Sequence, residues 1–114
     1  LSNPLFTAEF ERQREDSDAL HWGDGQLRLY SDTIIFEGEL APGPDYRLYL
    51  TPEFVETEAE FLAIKGQSIE IGSVKNFNGF VLNNAFAVND PRYTTAVVWC
   101  ETFGQFISSG QYRP

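Results

Sequence analysis

The chain has no methionine, one cysteine and one histidine. Without methionine it is expected to be a mature or trimmed form, with any signal peptide or lipid-anchor segment lying outside these 114 residues. A single cysteine excludes an intrachain disulfide, the usual mark of small extracellular domains, so composition leaves the compartment open. One Cys and one His are too few soft ligands for a closed tetrahedral zinc site. No run approaches the roughly 18–20 consecutive apolar residues of a membrane-spanning helix, so direct membrane insertion of this domain is not expected. Cations are scarce: eight Lys and Arg stand against 17 Asp and Glu, a net charge of −9. The acidic excess is spread along the chain rather than confined to a tail. Such a surface repels phosphate backbones and anionic headgroups, which argues against nucleic acid and anionic membranes as partners. The glycine motifs that cradle phosphates are absent as well.

Core material is plentiful. Hydrophobic residues make up 42% of the chain and aromatics 15%, with ten Phe. One domain of this length buries about two-thirds of its unfolded surface, so no staple is required. Residues 5–19 combine helix formers with few turn residues, and Phe6 and Phe10 stand four apart, on one face of a helix. Residues 1–20 are therefore expected to be a lead-in with a short helix, and 21–114 the domain proper. Asp24-Gly25 and Ser31-Asp32 are turn signals, and Ala41–Asp45 is a breaker that no regular element survives. Around them lie Gln26–Tyr30, Thr33–Leu40, Tyr46–Leu50, Phe61–Lys65, Ser68–Val74, Gly79–Asn83, Thr95–Glu101 and Phe103–Ser108. These short runs, rich in β-branched and aromatic residues at roughly ten-residue spacing, predict an all-β fold, an antiparallel sandwich or barrel. Tyr46, Leu48 and Leu50 share one strand face. Thr51–Glu60, with Pro52 and four glutamates, reads as an exposed excursion.

Residues that carry chemistry are few. Any Ser/His/Asp or Cys/His arrangement has to use His21, with Cys100 as the obvious nucleophile. Val97, Val98 and Trp99 precede Cys100 where a glycine-rich exposing turn is wanted, so a structural His21 at the mouth of a strand is the simpler reading. A pocket joining His21, Cys100 and a carboxylate would raise the standing of a hydrolytic enzyme. Asp16, Asp18 and Asp24 lack the periodicity of an EF-hand loop. Glu53, Glu56, Glu58 and Glu60 cluster in sequence, which does not make the facing pair a glycosidase needs. Haem ligation by His21 or Cys100 is chemically allowed, although the chain has no Met partner and no CxxCH attachment signal. No other cofactor is indicated.

Cys100 itself has two readings. Along Ala96–Glu101, Val98 and Cys100 share one face and Val97 and Trp99 the other. With the first pair inward, the thiol is a buried, inert small hydrophobe, the usual state of a lone strand cysteine. With the second pair inward, it faces solvent and is available for redox chemistry.

Taken in order, these segments resemble the DM-thirteen domain, a small family described by electron transfer. The resemblance begins at His21 and Gly25 and runs through Gly43-Pro44-Asp45-Tyr46-Arg47-Leu48-Tyr49-Leu50. It continues at Gly72, Lys75, Phe77 and Gly79, and is sharpest at Tyr93 followed by Val97-Val98-Trp99-Cys100 and Phe103. Phe80-Val81-Leu82-Asn83 departs from the family by lacking a proline, and the closing small-residue pattern is blurred at Ser109-Gly110-Gln111-Tyr112. The resemblance implies a sandwich-like domain of exported, periplasmic or cell-surface proteins. It also implies a redox role carried by the family's cysteine, here Cys100, with Trp99 shielding or coupling to it. The other function to weigh is a non-catalytic binding or adhesion module for a protein or cell-surface partner. Pro44 and Asp45, His21 and the acidic 51–60 loop would then be its exposed elements, with Cys100 in the core. The oligomeric state is left open.

Overall fold

Period-two alternation sorts the apolar residues of this chain into two buried layers. A computed structural model, describing residues 3–114, contains β1 (Phe6–Phe10), β2 (Gly23–Leu29), β3 (Thr33–Leu40), β4 (Tyr46–Thr51), β5 (Ile69–Val74), β6 (Phe80–Asn83), β7 (Thr95–Cys100) and β8 (Gln105–Gln111). One antiparallel sheet runs β1-β2-β3-β6 and a second runs β5-β4-β7-β8. Their inner faces meet as an open sandwich. Phe10, Leu27, Leu29, Ile34 and Phe36 pack on Tyr46, Leu48, Leu50, Val98 and Ile107, so the face that Tyr46, Leu48 and Leu50 were expected to share is the inner one.

The outer face of the second sheet is also covered. Tyr49, Val97, Trp99 and Phe106 pack against Val55 and against Phe61 and Ile64 of a short helix, α1 (Glu58–Ile64). β7 is therefore buried on both faces, which explains why Thr95-Ala96-Val97-Val98-Trp99-Cys100 has no polar side.

Two segments exchange their expected structures. Residues 5–19 were expected to hold a helix, yet they contain β1 followed by irregular turns. Phe6, Ala8 and Phe10 satisfy a period of two as well as a helical spacing, and pairing from Phe6↔Leu29 to Phe10↔Gly25 buries Ala8 and Phe10 between the sheets. Conversely, Phe61–Lys65 is not a strand but falls in α1 and the start of the 3₁₀ turn Lys65–Gln67. Thr57 caps α1 by accepting the Glu60 N–H at 3.0 Å, and the Glu60 carboxylate accepts the Glu56 N–H at 2.8 Å. This is close to a capping box. The stretch expected to be an exposed excursion thus ends in the helix that covers the sheet.

Asp24-Gly25 is likewise strand rather than turn. Gly25 (φ +146°) lies opposite Gly38 (φ +156°) in the β2–β3 ladder. A Cβ on Gly38 would stand 2.2 Å from the Asp24 carbonyl oxygen, so the glycine pair permits an approach that side chains forbid. The Ser31-Asp32 turn does form, closed by Tyr30 N–H donating to the Thr33 carbonyl at 2.8 Å.

Lys65 ties α1 to the sheet. Its ammonium meets Glu101 Oε1 at 2.7 Å, and the Tyr49 hydroxyl donates to Oε2 at 2.7 Å. Burial alone would raise the Glu101 carboxyl, but Lys65 and Tyr49 outweigh it and hold the group below the usual carboxylate range. A carboxyl depressed by folding stabilises above its unfolded pKa of about 4.3, and that contribution is lost as pH falls through the lower folded value. Stability measured by urea unfolding between about pH 5 and 3 is therefore expected to fall less steeply in Glu101→Gln than in the parent. An unchanged slope would remove Glu101 from the acid response.

Candidate functional site

The breaker turn before β4 folds across the end of β7. Tyr46 pairs with Cys100 in the ladder, so the two side chains sit side by side on the inner face of the second sheet. Asp45, at φ 56°, takes the left-handed conformation that short polar side chains tolerate. Its carbonyl accepts the Glu101 N–H at 3.0 Å. This closure brings the Pro44 carbonyl to 3.0 Å from Cys100 Sγ, which donates to it. Cys100 is 3% exposed, so the inward placement of Val98 and Cys100 is the one realised.

Cys100 nevertheless lines a cleft of about 210 Å³ bounded by Leu20 and His21, by the Pro42–Pro44 turn and by the start of β8. Pro42, Phe103 and Ile107 make the walls mainly apolar, and four polar side chains reach it: Cys100, His21, Tyr46 and Gln105. Leu20 and Phe103 form an apolar lip, 73% and 66% exposed, the kind of patch that marks a binding face.

His21 is held from behind by Asp18. Nδ1 lies 2.9 and 3.1 Å from the two carboxylate oxygens. In the same turn Leu20 N–H donates to Asp18 Oδ1 at 2.8 Å and Asp18 N–H to the His21 carbonyl at 3.0 Å. The His21 ring, and then the Leu20 amide, keep the Asp18 carboxyl below its ordinary value. With Nδ1 facing Asp18, Nε2 is the ring nitrogen left without a partner among the described residues. The Tyr46 hydroxyl donates to the Ala41 carbonyl at 2.5 Å. Burial first, and secondarily the neighbouring Cys100, push Tyr46 up to about 12, so it remains a neutral phenol.

Thiol and imidazole thus share one cleft, with a carboxylate behind the imidazole, an arrangement the flanks of Cys100 do not suggest. The thiol bonds to the Pro44 carbonyl, however, and not to the imidazole, so the nucleophile–base hydrogen bond of a cysteine hydrolase is not made. The chain matches the family described as "Electron transfer DM13" over residues 10–112, a span that takes in every wall of this cleft. The chain belongs to the DM13 family. No curated protein and no solved structure matches it. The family description associates the DM13 domain with electron transfer.

In this DM13 domain the other expected site residues separate. Trp99 does not join Cys100: its ring lies on the opposite face of the sheet, 1% exposed, at 4.7 Å from Phe61. Alternation along β7 forces that separation. Pro44 lines the cleft, whereas the Asp45 carboxylate is occupied by Arg47, with contacts of 3.0 and 3.3 Å. Arg47 also meets Glu70 at 3.2 Å. Asp45 therefore shapes the turn without reaching the cleft. Neither candidate haem ligand is presented as one: Cys100 is 3% exposed with its sulfur donating to the Pro44 carbonyl, and His21 Nδ1 is held by Asp18. Among the described residues no three His, Cys, Asp or Glu side chains converge as a metal site.

The DM13 cleft also uses residues that sequence reasoning passed over, namely Leu20, Phe103, Gln105 and the Tyr46 hydroxyl. Phe103 carried a signal. It is a large apolar side chain within the turn between β7 and β8, where polar residues are the rule.

Proposed function

We propose that this DM13 domain is an extracytoplasmic redox module whose working group is the Cys100 thiol. The observation that carries the proposal is that Cys100, though recessed, lines the same cleft as His21. With one cysteine the chain has no internal disulfide in which to hold oxidising equivalents. Its chemistry is exchange with an external, low-molecular-weight disulfide. The Cys100 proton passes to His21, the thiolate attacks one sulfur, a mixed disulfide forms, and the second sulfur leaves as a thiolate. Attack by an external thiol reverses the sequence and returns Cys100 reduced. The narrow cleft suits a slender aliphatic disulfide, and an oxidising compartment supplies such molecules.

Native protein incubated with cystamine is expected to gain one mixed disulfide, read by intact mass, while Cys100→Ser gains none. His21→Ala is expected to slow the reaction about tenfold or more, as loss of a positioned base does. A thiol that forms the adduct only after unfolding would overturn the proposal.

Burial of Cys100 favours one other function, a non-catalytic module for a protein or cell-surface partner with the cysteine as core filler. On that account Cys100→Ala costs about 1–2 kcal/mol and the native thiol ignores cystamine.

A further inference from the structure

His21 and Trp22 are neighbours in sequence that border different hollows. His21 lines the thiol cleft, whereas Trp22 borders two shallow depressions of about 520 and 390 Å³. Lys75, Asn76 and Asn78 lie at the larger, Arg12 and Asp24 at the smaller, and Glu39 at both. The indole is partly exposed, and the Arg12 guanidinium lies over it with Cζ 4.0 Å from the ring centroid. That contact fixes the plane of the ring.

The polar side chains around this indole make no side-chain hydrogen bond or ion pair among the described residues, and Arg12 instead lies over the ring. Five of the eight Lys and Arg residues pair with carboxylates, and Arg113 donates to the Tyr93 and Val88 carbonyls. The other two, Arg12 and Lys75, make neither kind of contact among the described residues, and both stand at Trp22. Asp24, Glu39, Asn76 and Asn78 make no side-chain hydrogen bond among the described residues either. Two cations and two carboxylates cancel, leaving a neutral patch on a chain of net charge −9.

We infer that this surface binds an uncharged saccharide. A sugar presents an apolar C–H face that stacks on the indole from the larger depression, which Arg12 does not line, while its hydroxyls donate to Glu39 and accept from Lys75 and the two amides. An apolar ligand would strip water from these four polar side chains and pair none of them. A polyanion would meet the field of an acidic protein. The inference does not depend on the thiol chemistry.

The full chain titrated with cellotriose, mannotriose and N-acetylchitotriose is expected to give saturable binding to at least one of them in isothermal titration calorimetry, a readout that does not depend on the indole. Trp22→Ala is expected to weaken that binding about tenfold or more, with Trp22→Phe intermediate and Asn78→Ala also weaker. Far-UV circular dichroism checks that each variant is folded, and Asn78→Ala, at an exposed position, tests the site independently of the indole. No response to any of the three sugars up to about 10 mM, the weak end of measurable affinity, overturns the inference. So does binding that survives Trp22→Ala, or binding confined to heparin oligosaccharides and abolished by salt.

Discussion

Trp99→Ala is expected to destabilise the domain by about 3–5 kcal/mol in urea unfolding at neutral pH. The side chain is 1% exposed. It stands where β7, β8 and α1 meet, with Phe61 at 4.7 Å and the Lys65 ammonium 5.9 Å from its ring centre. Removing it leaves α1, only seven residues long, without the surface it rests on. A helix of that length has no stability of its own in water. The loss is therefore paired with faster hydrogen exchange across residues 58–64 than in the parent. Set against a typical stability of about 5–15 kcal/mol, a loss of this size leaves little margin. Trp99→Phe, which keeps a ring on Phe61, is expected to cost about 1–2 kcal/mol. A loss below about 1 kcal/mol for Trp99→Ala would mean that the helix does not complete the outer layer.

The second large effect is expected at Gly38. Alanine there brings its Cβ to 2.2 Å from the Asp24 carbonyl oxygen and 2.7 Å from Gly25 Cα, at a φ of +156°. Both obstacles are backbone, so neither yields by a rotamer change. The β2–β3 ladder has to part at its centre, between Gln26↔Glu37 and Asp24↔Glu39. Gly38→Ala is expected to cost about 2–4 kcal/mol, whereas Gly66→Ala, whose added methyl meets nothing within 4 Å, is expected to stay within about 0.5 kcal/mol of the parent. Equal effects at the two sites would dismiss close backbone approach as the reason for glycine at 38.

Most of the sandwich was legible because its strands are short, alternating and set off by Gly, Pro and Asp. Tyr46, Leu48 and Leu50 announce their face, and Ala41–Asp45 announces the turn. The two exchanged segments share one cause, the ambiguity of brief apolar patterns, whereas Asp24-Gly25 misled because its glycine serves a close strand approach and not a turn. Phe6 and Phe10 fit a helix face and a strand face equally, and only pairing with β2 decides between them. Phe61-Leu62-Ala63-Ile64-Lys65 carries no alternation, and the decisive signal was Thr57 three residues before Glu60.

Missing that helix also obscured Cys100. The choice between an inward and an outward thiol assumed a sheet with one wet face, but α1 covers the outer face and neither side of β7 meets solvent. The cleft could not be seen for a different reason. It depends on Pro44 meeting a sulfur 56 residues away and on Asp18 turning His21 toward the same hollow, and long-range closure of that kind leaves no local pattern.

The place of Cys100 within its sheet bears on how the domain survives oxidation. β7 is an interior strand, flanked by β4 and β8, and the Pro44 carbonyl lies over the sulfur. A disulfide requires the two Cα atoms within about 4.4–6.8 Å, and two copies of this fold cannot bring interior strands so close without dismantling a sheet in each. An unpaired cysteine at a protein surface is free to pair between copies. Here the backbone around the sulfur acts as a spacer, so the fold itself opposes cross-linking of one copy to the next.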